Sequence, residues 1–344
     1  VFNEYFDETF EVRRVNDFAM NNLTGMHRID YAVHSGESGG AMEPAYLQHI
    51  DDLTVWLEQQ DEVVYATAYT DVIKRLNRDM HGGDPAWYRI PESRELISQY
   101  TLLYELSLPQ GLGLEDQLDI DKEQARVIVM LENIGSRPVL EFNDRVETWM
   151  QDNWPQIMQT KGTGMDILFG RVTMRNIQSM LSGALIALIS VSVLLVIALR
   201  SVRYGILSLL PNLLPAAMAF GLWGLVNGEI GLAVSVVACM TLGIVVDDTV
   251  HFLSKYVRAK RELGLKTEQA VAYAFRTVGV ALVATSVVLV ANFAVIGTSH
   301  FYPNSSMGQL SAITIAMALI VDFFFFVPLL VALDRRKRTG GSGQ

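Results

Sequence analysis

Gly243-Ile244-Val245-Val246-Asp247-Asp248-Thr249-Val250-His251-Phe252-Leu253 sets two adjacent carboxylates inside an apolar stretch running from about Ile230 to Leu253. A helix that crosses the hydrocarbon of a bilayer needs ~20 predominantly apolar residues, and this stretch is long enough. One ionised Asp at the centre of such a helix costs roughly 2.5–3.5 kcal/mol. Ionisable side chains at that depth mark ion and proton pathways, so the pair reads first as a proton site. His251 follows Asp247 by four residues and Asp248 by three, spacings that make side chains neighbours on a helix. The imidazole is therefore expected within reach of either carboxylate, and Gly243, one turn earlier, leaves room for an adjacent helix or a water. Two carboxylates in a poorly solvated site resist being ionised together. At least one is expected to hold a proton near physiological pH, in a titration that belongs to the pair.

Outward from this run the chain has two unlike parts. Half of its 344 residues are hydrophobic, but residues 1–170 are rich in Asp, Glu, Arg and Gln, whereas long apolar runs dominate from Ile177 onward. Length predicts five spans: Ile177–Leu199, Tyr204–Val226, Ile230–Ser254, Phe275–Gly297 and Met307–Leu333. The second contains Pro211, Asn212 and Pro215. A proline removes a helix hydrogen bond, so a short helix, a break near Pro211 and then a crossing segment are expected. Small residues (Gly183 with Ala187, Gly221 with Gly224, and Gly243) are expected to let helices pack closely.

Basic residues orient the bundle. Arg200 and Arg203 follow the first span. Lys255, Arg258, Lys260, Arg261 and Lys266 follow the third, with Arg276 at the start of the fourth. Arg335, Arg336, Lys337 and Arg338 follow the fifth, while Asn227–Glu229 and Thr298–Ser306 carry no Lys or Arg. Positive loops stay in the cytoplasm, which places residues 1–170 outside it. The domains expected are an extracytoplasmic α+β domain (1–170), a five-helix membrane domain (171–334) and a basic tail (335–344) whose end, Gly340–Gln344, reads as an appended linker. With Val1 in place of a Met, the chain reads as the C-terminal part of a longer protein.

The first domain alternates strands and helices: a strand over Met26–His34, a glycine-rich turn at Ser35–Gly40 and a helix carrying Leu47, Ile50, Leu53, Val55 and Leu57. Further strands are expected at Val63–Thr67, Gln124–Glu132 and Lys161–Leu168, and further helices at Glu92–Leu106 and Val139–Trp149. Two strand–helix–strand units suggest a ferredoxin-like α+β sandwich. Gly36, Gly39 and Gly40 lack the Gly-Lys-Ser/Thr ending of a phosphate loop. His27, His34, His49 and His81 show no metal-ligand spacing, and no nucleophile and base are grouped as an enzyme would need. The lone Cys239 sits in an apolar run and reads as a small buried hydrophobe. A formal net charge of −10 argues against a nucleic-acid partner.

Other polar residues of the spans are candidates to support the aspartates. Thr285 and Asn292 are seven residues apart on one face of the fourth span, expected to point at the pair, and Ser286 adjoins them. Asp322, on the fifth, lies at a depth similar to that of Asp247. Intramembrane aspartyl proteases also carry aspartates in their spans. Their Gly-x-Gly-Asp motif is absent, since Val245 stands at the second glycine position, and no span holds a Tyr-Asp pair.

The run from Gly243 to Leu253 resembles the Gly-x-x-x-Asp-Asp helix of the resistance–nodulation–division (RND) superfamily, nearest its MMPL-type exporters. Asn22-Leu23-Thr24-Gly25, Leu210-Pro211-Asn212-Leu213-Leu214-Pro215 and the ending from Asp322 to Pro328 fit the same pattern. The resemblance covers nearly the whole chain and corresponds to the second of two repeats, without that repeat's first span. It implies a secondary transporter, not an enzyme. Its function would be export of hydrophobic or lipid-like substrates from the bacterial inner membrane, with protons as coupling ion and no other cofactor or metal. It further implies Asp247 and Asp248 as relay, to which helical spacing adds His251, together with a periplasmic porter-type domain, and membrane lipids, the N-terminal repeat and further copies of the protein as partners. No lysine lies within these spans, so the drug-efflux arrangement of a lysine with the aspartates is not expected. A sterol-sensing-like lipid sensor or scaffold, and an accessory of protein translocation like SecD/SecF, are the alternatives.

Overall fold

The computed structural model describes residues 5–109, 113–227 and 231–339. The chain divides into two compact units, one over Glu8–Met174 and one over Arg175–Gln344 that also takes in Glu4–Asp7. The first opens with helix α1 (Glu11–Asn22), followed by β1 (His27–His34), α2 (Pro44–Glu58), β2 (Val63–Ala68), α3 (Tyr69–Met80), α4 (Arg94–Ser107), β3 (Gln124–Leu131) and α5 (Ser136–Asn153). The strands form one sheet in the order β1-β3-β2, with β3 antiparallel to both neighbours. Strand alternation sends Ile29, Tyr31 and Val33 of β1 and Ala125, Val127, Val129 and Leu131 of β3 into one core. Leu47, Ile50, Leu53 and Leu57 of α2 and Val139, Phe142, Val146 and Met150 of α5 cover that face. Val55, expected among them, is exposed. The turn at Ser35–Gly40 depends on Gly39, whose φ of 73° lies where only glycine is unstrained.

A buried phenol closes this sheet. The Tyr46 hydroxyl donates to the carbonyl of Val33 at 2.6 Å and accepts from the N–H of Ala125 at 3.0 Å, joining the paired ends of β1 and β3. Tyr46→Phe leaves both backbone groups without that partner. A loss of about 1–3 kcal/mol is expected in a denaturant titration of the unit, the cost of stranding buried polar groups. No loss would mean that water replaces the phenol.

The Lys161–Leu168 segment is not a strand. It makes one antiparallel bridge, Asp30 to Thr163, and the chain is helical from Met165. Gly164, at φ 140°, makes the turn between them, and a Cβ there would lie 2.8 Å from the carbonyl oxygen of Arg28. Helix α3, between β2 and α4, was not expected at all. Tyr69, Val72, Ile73 and Leu76 recur at helical spacing and turn toward the core, with Thr70 and Asn77 buried beside them, so the signal is present in a short stretch that otherwise reads as polar. Asn77 stays buried by donating from its amide to the carbonyls of Trp87 and Arg89.

Among the described residues five helical runs are long and apolar enough to cross a membrane, the first beginning at Met165 and the others lying within the second unit. They are α6 (Met165–Leu199), α7 with α8 (Val202–Leu207, Leu209–Asn227), α9 (Leu232–Arg261), α10 with α11 (Thr267–Ala274, Val280–Ile296) and α12 with α13 (Tyr302–Val321, Val327–Thr339). The first begins twelve residues before its apolar run. The second breaks at Ser208, slightly before Pro211. A proline is tolerated in a first turn, where its missing N–H has no helical partner, so α8 restarts just ahead of it. π-helical turns at Phe275–Gly279 and Asp322–Phe326 join the halves of the last two runs. The short connection expected at Asn227–Glu229 and the linker at Gly340–Gln344 lie almost wholly outside the described residues.

Close helix packing occurs, but not at the glycines expected for it. A Cβ on Gly183, Gly221, Gly224 or Gly243 would meet nothing within 4 Å. The tight contact is between α11 and α12, where a Cβ on Gly308 would stand 2.4 Å from the backbone nitrogen of Gly297 and 2.7 Å from the carbonyl oxygen of Phe293. Backbone atoms cannot swing aside as a side chain can. Gly308→Val is therefore expected to force the hairpin apart and destabilise it by about 1–3 kcal/mol or more. Heat denaturation in detergent checks it, and an unchanged midpoint would refute the contact.

Candidate functional site

Adjacent residues on a helix point about 100° apart, and α9 uses that angle to separate the two aspartates. Asp247 faces outward, its side chain 69% exposed, and pairs at 3.3 Å with Nε2 of His251, itself 56% exposed. Of the two carboxylates, the imidazole meets only this one. Gly243 lies on the same open side. Asp248 turns inward, where it accepts a hydrogen bond of 3.3 Å from the hydroxyl of Ser286 on α11.

Asp248 and Asp322 line one small cavity, of about 10 Å³ to the centre of a water-sized sphere, roughly the space of one water. The rest of its lining is apolar: Phe252 from α9, Phe275 and Leu282 from the fourth run, and Leu319, Phe323, Phe326 and Val327 from the fifth. Oδ1 of Asp322 is buried with no hydrogen-bond partner. The carboxylate that shares an environment with Asp248 is therefore Asp322, seventy-four residues along the chain, and not the adjacent Asp247.

Both π-helical turns contribute to this lining, Phe275 from one and Asp322, Phe323 and Phe326 from the other. A π turn carries one extra residue, swings the following side chains around the axis and recurs at functional sites. Ring contacts tie the two turns together. Phe275 stacks on Phe323 at 5.2 Å and meets Phe252 edge-on at 5.2 Å, while Phe252 meets Phe326 at 6.4 Å. Sequence periodicity carries no sign of these turns, because one extra residue in a turn shifts the period too little to read in spans that are apolar on all sides.

Thr285 is exposed, and its hydroxyl donates to the carbonyls of Ala281 and Leu282 in its own helix. Asn292, on the same face, is exposed as well. Ser286 is the fourth-run residue that turns toward α9. One residue beyond Asp248, the Thr249 hydroxyl donates to Oδ1 of Asn212 at 2.9 Å, a buried contact between α9 and the start of α8. Asn212 belongs to the break expected in the second span, and nothing local in the sequence links it to Thr249.

The cavity holds two acids in an apolar shell with one hydroxyl donor and one unsatisfied oxygen. Such an arrangement can bind a proton, or a water carrying one, and exchange it between oxygens. It offers no third ligand for a metal, and no group of three or more His, Cys, Asp or Glu able to hold one occurs among the described residues.

The model of the MMPL family matches residues 36–341, nearly the whole chain. The Methanocaldococcus jannaschii protein MJ1562, named as a membrane protein, is 24% identical over 151 residues. That stretch is 44% of this chain and 38% of the relative, so the match spans well under half of the relative's length.

Proposed function

Because the chain belongs to the MMPL family, we propose that it is the second repeat of an RND-type transporter that exports hydrophobic or lipid-like molecules at the expense of the proton gradient. The observation that carries this reading is the pairing of Asp248 with Asp322 across one apolar cavity, with Ser286 as hydroxyl donor and Oδ1 of Asp322 unsatisfied.

Two ionised carboxylates in so small an apolar space repel, and each loses its hydration. One proton bound between them removes the repulsion and the desolvation cost of one of the two charges, and its departure restores both. The cavity then has two states of different energy, and the π turns that carry Phe275 and Asp322 are the joints through which the helices answer. Each proton crossing the potential releases ~2.3 kcal/mol per 100 mV, so several protons or a pH gradient would drive the export of one substrate. Asp247 and His251, on the open side of α9, are read as the half of the relay offered to the N-terminal repeat of the same protein. The first unit is read as a periplasmic, ferredoxin-like porter domain, a reading supported by its β1-β3-β2 order. The loops rich in Arg and Lys support an inner-membrane orientation with that domain outside. Membrane lipids and, in some assemblies, further copies of the protein are the expected neighbours.

Inverted vesicles containing the full-length protein and a lipid labelled with nitrobenzoxadiazole test this. Labelled lipid is expected to move while a proton gradient is maintained and to stop when a protonophore collapses it. Movement that continues after collapse would rule out proton coupling, and no movement at all would favour the lipid-sensor alternative.

A further inference from the structure

A second polar cluster lies two to three turns from the cavity, and neither the aspartate motif nor the family match accounts for it. Asp334 of α13 is buried, its side chain only 7% exposed. Its carboxylate accepts from the hydroxyl of Tyr256 at 2.5 Å and from that of Tyr204 at 3.2 Å, and pairs with Arg203 at 3.1 Å and Lys260 at 3.9 Å. Three helices, α7, α9 and α13, are thereby tied at one carboxylate.

The same helices carry the acids of the cavity. On α9, Asp248, Phe252, Tyr256 and Lys260 follow one another at four-residue spacing, which makes each a neighbour of the next along the helix. Asp322, Phe326, Leu330 and Asp334 repeat that spacing on the last run. Between the two polar ends, Phe252, Phe326 and Leu330 form a buried apolar layer. Such a layer specifies register poorly. Phe326 and Leu330 are one turn apart and both apolar, so a slide of about 5.4 Å along the helix exchanges one for the other at little loss of packing. The polar cluster has no such equivalent, because a slide strands the carboxylate away from two hydroxyls and two cations. Burying an ionic network adds little net stability, but it can select one arrangement.

We propose that Asp334 is a positioning residue: it holds α9 and the last run at the single register in which Asp248 and Asp322 share a cavity. The claim about register stands on the contacts alone; its consequence for proton movement rests on the function proposed above.

Cross-linking in the full-length, membrane-embedded protein tests it, with Cys239→Ser to remove the native thiol. The pair Phe252→Cys with Phe326→Cys reports the present register, and Phe252→Cys with Leu330→Cys reports a slide of one turn. Asp334→Asn is expected to change the ratio of the two yields by about tenfold in favour of the second pair, the scale of losing a buried charge-assisted contact. Asp334→Glu, which keeps the charge, is expected to preserve the original ratio, and Tyr204→Phe with Tyr256→Phe to shift it in the same direction by less. An unchanged ratio in Asp334→Asn overturns the proposal. So does equal loss of both cross-links, which would mean that Asp334 holds the fold together without selecting a register. Labelled-lipid movement is measured on the same variants without engineered cysteines. A shifted ratio with undisturbed movement would leave the register claim standing and refute the proton reading.

Discussion

Asp248→Asn is expected to lower gradient-driven transport by roughly 10²-fold or more, the scale set by removing a group that carries the transferred proton. The substitution keeps the size of the side chain and can still receive the Ser286 hydrogen bond at its carbonyl oxygen. What it removes is the ability to gain and lose a charge beside Asp322. Expression and thermal stability should therefore stay close to those of the parent. Asp247→Asn is expected to abolish coupled transport too, but by a different route, since Asp247 lies on the open side of α9 with His251. Its effect should appear only in the complete protein, where the N-terminal repeat meets that side. The check is labelled-lipid movement in energised vesicles with matched protein levels. Undiminished transport by both variants would defeat the proton-relay reading.

Asp322→Val is expected to separate stability from function. Oδ1 of Asp322 is buried without a partner in an apolar surround. An unsatisfied buried polar atom costs about 1–3 kcal/mol, and a side chain of similar size without that atom recovers much of it. The variant should resist heat or denaturant better than the parent by about 1–2 kcal/mol and yet lose transport as completely as Asp248→Asn. A residue retained for structure behaves the other way, because removing it weakens the fold. A less stable variant that still transports would show Asp322 to be a structural anchor, with the proton site elsewhere.

The class of this protein was legible from its residues, and so were the positions of its main elements. Apolar runs of sufficient length announce membrane helices whatever they pack against, because lipid and protein interior are equally apolar. The two-residue alternation of His27–His34 and Gln124–Leu131 announces strands with one buried face. An acid in the middle of a lipid-crossing helix is costly in any fold, which is why Asp247, Asp248 and Asp322 stood out.

Helices that are apolar all round carry no stripe to say which side turns inward. Nothing local could reveal that Asp248 enters the bundle while Asp247 leaves it, or that Ser286, and not Thr285 or Asn292, meets the acid. The π turns at Phe275 and Asp322 depend on how neighbouring helices compete for the same side chains, as does the buried position of Asp334 among Arg203, Tyr204, Tyr256 and Lys260. Hydropathy and period are properties of one segment, and they settled what each segment is. Facing and register are properties of several segments at once, and they came into being only when the helices packed.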